Sequence, residues 1–130
     1  MPCFQYIQPY WEKADYVLAN LETTLSDRNF SGYPQFCAPW QLARDIKQSG
    51  VDILTTNNNH SCDKGENGIR KTIYYLDYLE IPHIGTYTDT SSWLSQFLYS
   101  SIMDNSTLLS LKFYLRNQWH TSNPRAGCFP

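Results

Sequence analysis

The sequence lacks any apolar run approaching the roughly 18 residues a membrane helix needs, so no membrane segment is predicted. Its first residues, Met1 to Tyr6, have neither the charged leader nor the apolar stretch of a signal peptide. Cysteine is scarce: there are four in 130 residues, at Cys3, Cys37, Cys62 and Cys128. Their gaps are long and uneven and no CxxC occurs, which argues against a structural zinc site. Thiols in a reducing compartment are the plain expectation. Cationic charge is short as well, with ten Lys plus Arg against twelve Asp plus Glu and a net charge of −2. The isoelectric point is near 5.8 and no basic cluster exceeds Arg70-Lys71. That excludes a nucleic-acid binder living on phosphate electrostatics. No Gly-rich phosphate loop follows any predicted strand, which weakens a nucleotide-binding reading. Internal repeats and long low-complexity tracts are absent too.

What is present is apolar and aromatic material, 42% and 15% of residues, with ten Tyr and four Trp. Such a chain is not disordered by composition. Its length allows one domain at most, and folding at this size buries roughly two thirds of the unfolded surface. The composition is uneven. Residues 1–90 hold eleven acids and seven bases, while residues 91–130 hold only Asp104 against Lys112, Arg116 and Arg125. Four serines fall in the first stretch and eight in the second.

Residues 3–13 are predicted as a short helix with Phe4, Ile7 and Trp11 on one face; Pro9 either bends it or marks its first turn. Residues 15–21 read as a short buried strand. Residues 26–38 read as loop, punctuated by Ser-Gly and Tyr-Pro. A helix is predicted over 39–49, with Pro39 at its first position, Leu42, Ala43 and Ile46 as its apolar stripe, and Gly50 as its stop. Residues 51–56 are short and β-branched, the best strand in the chain. A polar loop follows, Asn57 to Gly65. The second good helix spans about 66–80, with Ile69, Ile73, Leu76 and Leu79 on one face. Pro82 breaks it, and residues 83–87 form a third strand. Beyond Thr90, residues 93–103 and 107–115 suggest a hairpin, and the last residues show no periodicity. Helices alternating with short apolar strands imply an α/β fold with a parallel sheet. In such sheets ligands bind beyond the carboxyl ends of the strands. Two loops qualify, one carrying Asn20 and Glu22 and the other running from Asn57 to Asp63.

The second loop reads Asn57-Asn58-Asn59-His60, then Asp63 and Gly65. Amide carbonyl oxygens and carboxylates are hard ligands suited to Mg²⁺ or Mn²⁺. A nearby His can donate a proton or bind phosphate oxygens. Glu22, after the preceding strand of the sheet, offers the carboxylate. An Asn-rich loop is equally an ordinary turn, since Asn tolerates left-handed backbone and bonds its own chain. Cys62 lies beside His60, but a thiol nucleophile needs a base oriented across space, which a neighbour two residues away on a loop seldom supplies.

The segment Ala14-Asp15-Tyr16-Val17-Leu18-Ala19-Asn20-Leu21-Glu22-Thr23-Thr24-Leu25 resembles the "aD…NlEt.l" stretch of bacterial capsule-synthesis proteins of the CapA type. Tyr33 to Pro39 is similar to that family's "f.aP" stretch, and Gly50 to His60 to its "aGfDvvs.aNNH". Asp63-Lys64-Gly65 with Gly68-Ile69 resembles "D.G..g", and Thr72 to Leu76 with Ile81 to Gly85 resembles "Tl..L…gi…G". The likeness runs from about Phe4 to Asp89, with its motifs in order. It implies a role in capsule or cell-envelope polymer biosynthesis, poly-γ-glutamate by the family's name. It also implies a calcineurin-like metallophosphoesterase sandwich, of which this chain would hold the strand-helix-strand-helix-strand portion.

In that superfamily a Gly-Asn-His motif puts Asn on a metal and His near the phosphate. The resemblance therefore implies Asn59 and Glu22 as ligands of a divalent metal, Mn or Mg and in the whole family two, with His60 as acid or phosphate-binding group. Asn20, Asn58 and Asp63 support them, Asp63 shaping the loop and capping the following helix. The implied partner is a polyanionic polymer or phosphate-containing substrate, not nucleic acid. The family's first motif, Gly-Asp with a nearby His, has no counterpart here, and Glu22 and Asn59 alone are too few for a dinuclear site. His83 is expected to be an ordinary strand or surface His. Residues 1–90 thus read as part of a CapA-type domain and 91–130 as a divergent tail, truncated or frame-shifted. The alternative is a non-catalytic module that associates through exposed sheet edges. The family works outside the cytoplasmic membrane behind an N-terminal anchor; no such segment is read here, and the compartment stays open.

Overall fold

The β-branched run after Gly50 becomes the middle strand of a three-stranded sheet in the computed structural model, which describes residues 4–89 and residue 91. Along the chain the elements are α1 (Gln8–Trp11), β1 (Leu18–Asn20), β2 (Thr24–Ser26), β3 (Cys37–Pro39), α2 (Gln41–Gln48), β4 (Ile53–Thr55), α3 (Gly65–Tyr78) and β5 (His83–Ile84). The main sheet has the order β1-β4-β5, parallel throughout. Ala19 lies opposite Leu54, and Asn20 opposite Thr55. Leu54 in turn lies opposite His83, and Thr55 opposite Ile84. This register brings Asn20, Thr55 and Ile84 to one edge, the carboxyl end of the sheet.

Leu54, Leu25 and Leu76 are fully buried, and with Val17, Leu21, Ala43, Val51 and Ile81 they make one core. The expected stripe of α2 faces it, and of the α3 stripe Leu76 and Leu79 do, while Ile69 is buried outside that cluster and Ile73 is half-buried. α2 buries Ala43 and packs Leu42 and Ile46, while α3 buries Ile69 and Leu76 and packs Leu79. Gly50, at φ 100°, ends α2 in the left-handed conformation its lack of a Cβ permits. At the end of α3 the same conformation falls on Glu80, φ 53°. The Ile81 amide donates to the Leu76 carbonyl and the Glu80 amide to that of Asp77, both at 2.9 Å, so the turn is a Schellman motif without its usual glycine.

The expected buried strand over 15–21 is shorter and more exposed, spanning Leu18–Asn20 with Leu18 and Asn20 exposed, and three further expectations need correction. Residues 26–38 are not all loop, because β2 and β3 pair in parallel as a second, two-stranded sheet. β2 is only Thr-Leu-Ser, all three residues buried, and it runs straight into the polar loop residues that follow, so its three positions do not stand out as a strand in sequence. Pro39 closes β3 rather than opening α2: with no N–H to give, it is tolerated at a strand end, and the helix starts at Gln41. α1 is only four residues long, with Pro9 in its first turn; Trp11 packs against the core and Ile7 is exposed. The small sheet is held by α3, whose Thr72 Oγ1 accepts the Leu25 amide at 2.9 Å and donates to the Gly68 carbonyl at 2.8 Å. The expected hairpin over 93–103 and 107–115, and the tail from residue 92 onward, lie outside the described residues.

Candidate functional site at the carboxyl end of the sheet

β1 ends at Asn20, which places that side chain and Glu22 beyond the sheet. β4 ends at Thr55, and the loop after it folds back on itself through Ser61. The Ser61 hydroxyl accepts the Asn58 amide at 2.8 Å and lies 2.5 Å from the Thr56 carbonyl oxygen. Backbone bonds from Ser61 to Asn58, Asp63 to His60 and Gly65 to Cys62 complete a chain of tight turns. The loop therefore is turn-forming, as Asn-rich sequence suggests, and is held in one shape.

Within that shape Asn58 is the hub. Its Nδ2 donates to Asn20 Oδ1 at 3.1 Å and to the Leu21 carbonyl at 2.9 Å. Its Oδ1 accepts the His60 amide at 3.0 Å. Asn20 reaches onward, donating to Glu22 Oε2 at 3.0 Å and accepting from Thr55 Oγ1 at 3.3 Å. His60 Nδ1 lies 2.8 Å from Asp63 Oδ2, with both side chains largely buried. Asn20, Glu22, Asn58, His60 and Asp63 thus form one connected network. Asn59 sits in the same loop, exposed, outside that network.

Asp63 does not cap α3. The cap position is Lys64 and has no side-chain cap bond. The Asp63 carboxylate instead accepts the Phe36 amide at 2.6 Å, tying the Asn-His loop to the approach of β3. The Phe36 ring packs edge-on against His60 with centroids 4.5 Å apart. Sequence reasoning assigned no role to Phe36 or Ser61; the one hint at Phe36 was its place in the Tyr33–Pro39 stretch. His83 is a buried strand residue, its Nδ1 3.0 Å from the Ile81 carbonyl oxygen, away from this network.

At the strand end the Asn57 side chain is buried and its Oδ1 finds no hydrogen-bond partner among the described residues. Gly85, at φ 121°, lies against it: a Cβ there would fall 2.7 Å from the Asn57 amide nitrogen and 2.8 Å from Oδ1. Gly85 is therefore needed both for its backbone conformation and for close approach. Next to it, burial pushes the Tyr87 phenol up, opposed by the Gly85 amide.

The exposed Glu22 carboxylate and the exposed Asn59 amide are donors of the type a hard divalent cation takes, whereas the Asn57 oxygen is buried against Gly85. Among the described residues no group of three or more His, Cys, Asp or Glu is placed to hold a metal ion. The chemistry fits and the number falls short of a full shell.

A family model described as "Bacterial capsule synthesis protein PGA_cap" matches residues 1–122 of the chain. Two uncharacterised proteins of Sinorhizobium fredii, y4sH and y4uA, are each 35% identical over 92 residues, covering 65% of this chain and 20% of their own length. The capsule biosynthesis protein CapA of Bacillus anthracis is 25% identical over 88 residues, covering 63% of this chain and 21% of its own. The chain spans about a fifth of the length of these curated relatives. No helix among the described residues is long and apolar enough to cross a membrane.

Proposed function

The chain belongs to the bacterial capsule synthesis protein family, and from that premise we propose that it serves the making of a capsule or other cell-envelope polymer as part of a divalent-metal, phosphoester-handling site. The observation that carries this reading is the connected network Glu22–Asn20–Asn58–His60–Asp63 at the carboxyl end of a parallel sheet, where α/β proteins place their ligands.

Glu22 and Asn59 are the residues that would hold Mn²⁺ or Mg²⁺. Such an ion, when bound, neutralises charge on a phosphate oxygen and makes a bound water more acidic. The protein's own part is positional. Asn58 fixes the distance between the β1 and β4 loops through its bonds to Asn20 and Leu21. It also anchors the backbone of His60, so the imidazole is held where it can bind a phosphate oxygen or exchange a proton with the substrate. The substrate class is a polyanion bearing phosphate or carboxylate oxygens, poly-γ-glutamate among them.

A second reading, a non-catalytic association module, draws on the sheet itself. Among the described residues β1 and β5 are edges, and Leu18 of β1 is 40% exposed. Thermal unfolding of the 130-residue chain with and without Mn²⁺ separates the two. The metal reading expects a rise in Tm that grows with Mn²⁺, corresponding to a stabilisation of about 2.7 kcal/mol at a hundred times the dissociation constant, and that Asn59→Ala removes. No shift at millimolar Mn²⁺ favours the association module.

A further inference from the structure

We infer that Asp63 is a positioning residue that sets the tautomer of His60, so that the neutral ring carries its proton on Nδ1 and keeps the lone pair on Nε2. The argument turns on one oxygen. Asp63 Oδ2 lies 2.6 Å from the Phe36 amide nitrogen and 2.8 Å from His60 Nδ1. The Phe36 N–H can only donate, so Oδ2 is committed as an acceptor. An ionised carboxylate has no proton to give, so the contact with His60 requires Nδ1–H. The two side chains are only 16% and 11% exposed, which limits competition from water. The His60 amide bond to Asn58 Oδ1 and the Phe36 ring edge hold the imidazole in this orientation.

An imidazole free in water favours the opposite tautomer, with the proton on Nε2, so the assignment departs from the default. Its consequence for chemistry rests on the proposed function: a neutral His60 meets substrate as an acceptor at Nε2, and donates there only after taking a proton. The tautomer itself does not depend on that reading.

Long-range ¹⁵N–¹H correlation spectra of the full chain, recorded with His60 neutral, test the inference. Wild type is expected to show Nδ1–H. Asp63→Asn is expected to show the same, because the Phe36 amide selects the carbonyl oxygen of the new amide and that oxygen still accepts from Nδ1. Asp63→Ala is expected to revert mainly to Nε2–H. Nε2–H in wild type, a reversal in Asp63→Asn, or an unchanged ring in Asp63→Ala overturns the inference. Should Asp63→Ala not fold, the other two spectra decide it. A protein with Nδ1–H that ignores Mn²⁺ keeps this inference and loses the metal reading; one with Nε2–H that responds to Mn²⁺ does the reverse.

Discussion

Ser61 shows how much of the loop depends on one small side chain. It is buried and its hydroxyl meets three backbone groups, the Thr56 carbonyl, the Asn58 amide and the Asn58 carbonyl. Removing the hydroxyl leaves the Asn58 amide without its acceptor, a change that costs about 1–3 kcal/mol when the group stays buried. Ser61→Ala is expected to lower unfolding free energy in urea by that amount, and a change below about 0.5 kcal/mol, the scale of an ordinary surface substitution, contradicts the role given to it. At this scale the sequence supplied residue types but not partners. Asn57, Asn58 and Asn59 are chemically identical, yet one is buried against Gly85, one links two loops and one is exposed. Only the register of β4 and the turn closed by Ser61 tell them apart. Asp63 misled for the same reason: an acid just before a helix reads as a cap, whereas a partner 27 residues away claims it.

Among the elements, α3 carries two testable features. Its C-terminal turn forces Glu80 into a left-handed conformation that glycine adopts without a Cβ clash. Glu80→Gly is therefore expected to raise stability by about 0.5–1 kcal/mol, seen as a higher urea midpoint with an unchanged slope; a lower midpoint argues against the strain. On its flank Lys71 reaches Asp27, just past β2, at 2.8 Å. That hydrogen bond first, and the Asp27 backbone amide next, hold the carboxyl below its ordinary value. A lowered folded pKa means this contribution is present above the ordinary carboxylate range and is lost as pH falls through the lowered value. Carbon-detected titration is expected to show Asp27 ionising below an ordinary aspartate, and Lys71→Met to move it upward; an unmoved titration removes Lys71 as the cause. The helices α2 and α3 were legible from periodicity and stop signals such as Gly50 and Pro82, and β4, though only three residues and all buried, from the β-branched run that follows Gly50. β2 and β3 were not, because each is three residues long, lacks a β-branched run like that of β4 and borders the Ser, Asp, Asn, Gly and Pro that read as loop.

For the molecule as a whole, the parallel order β1-β4-β5 matters most. Parallel strands gather their carboxyl ends on one side, so two loops more than thirty residues apart meet there, as the Asn58–Asn20 bond shows. That convergence was readable from the alternation of helices and strands, and the two loops it selects were the expected ones. The contribution of the second sheet was not readable: it delivers Phe36 to His60 and Asp63. The central claim is that this convergence is where a divalent cation is taken up. Paramagnetic line broadening by substoichiometric Mn²⁺, followed across the amide and side-chain NMR signals of the full chain, tests it most directly. The account predicts that Glu22, Asn59 and His60 broaden first, with the effect falling off along β1 and β4. Uniform broadening, none at all, or broadening centred on surface acids such as Asp27 or Glu66 contradicts it.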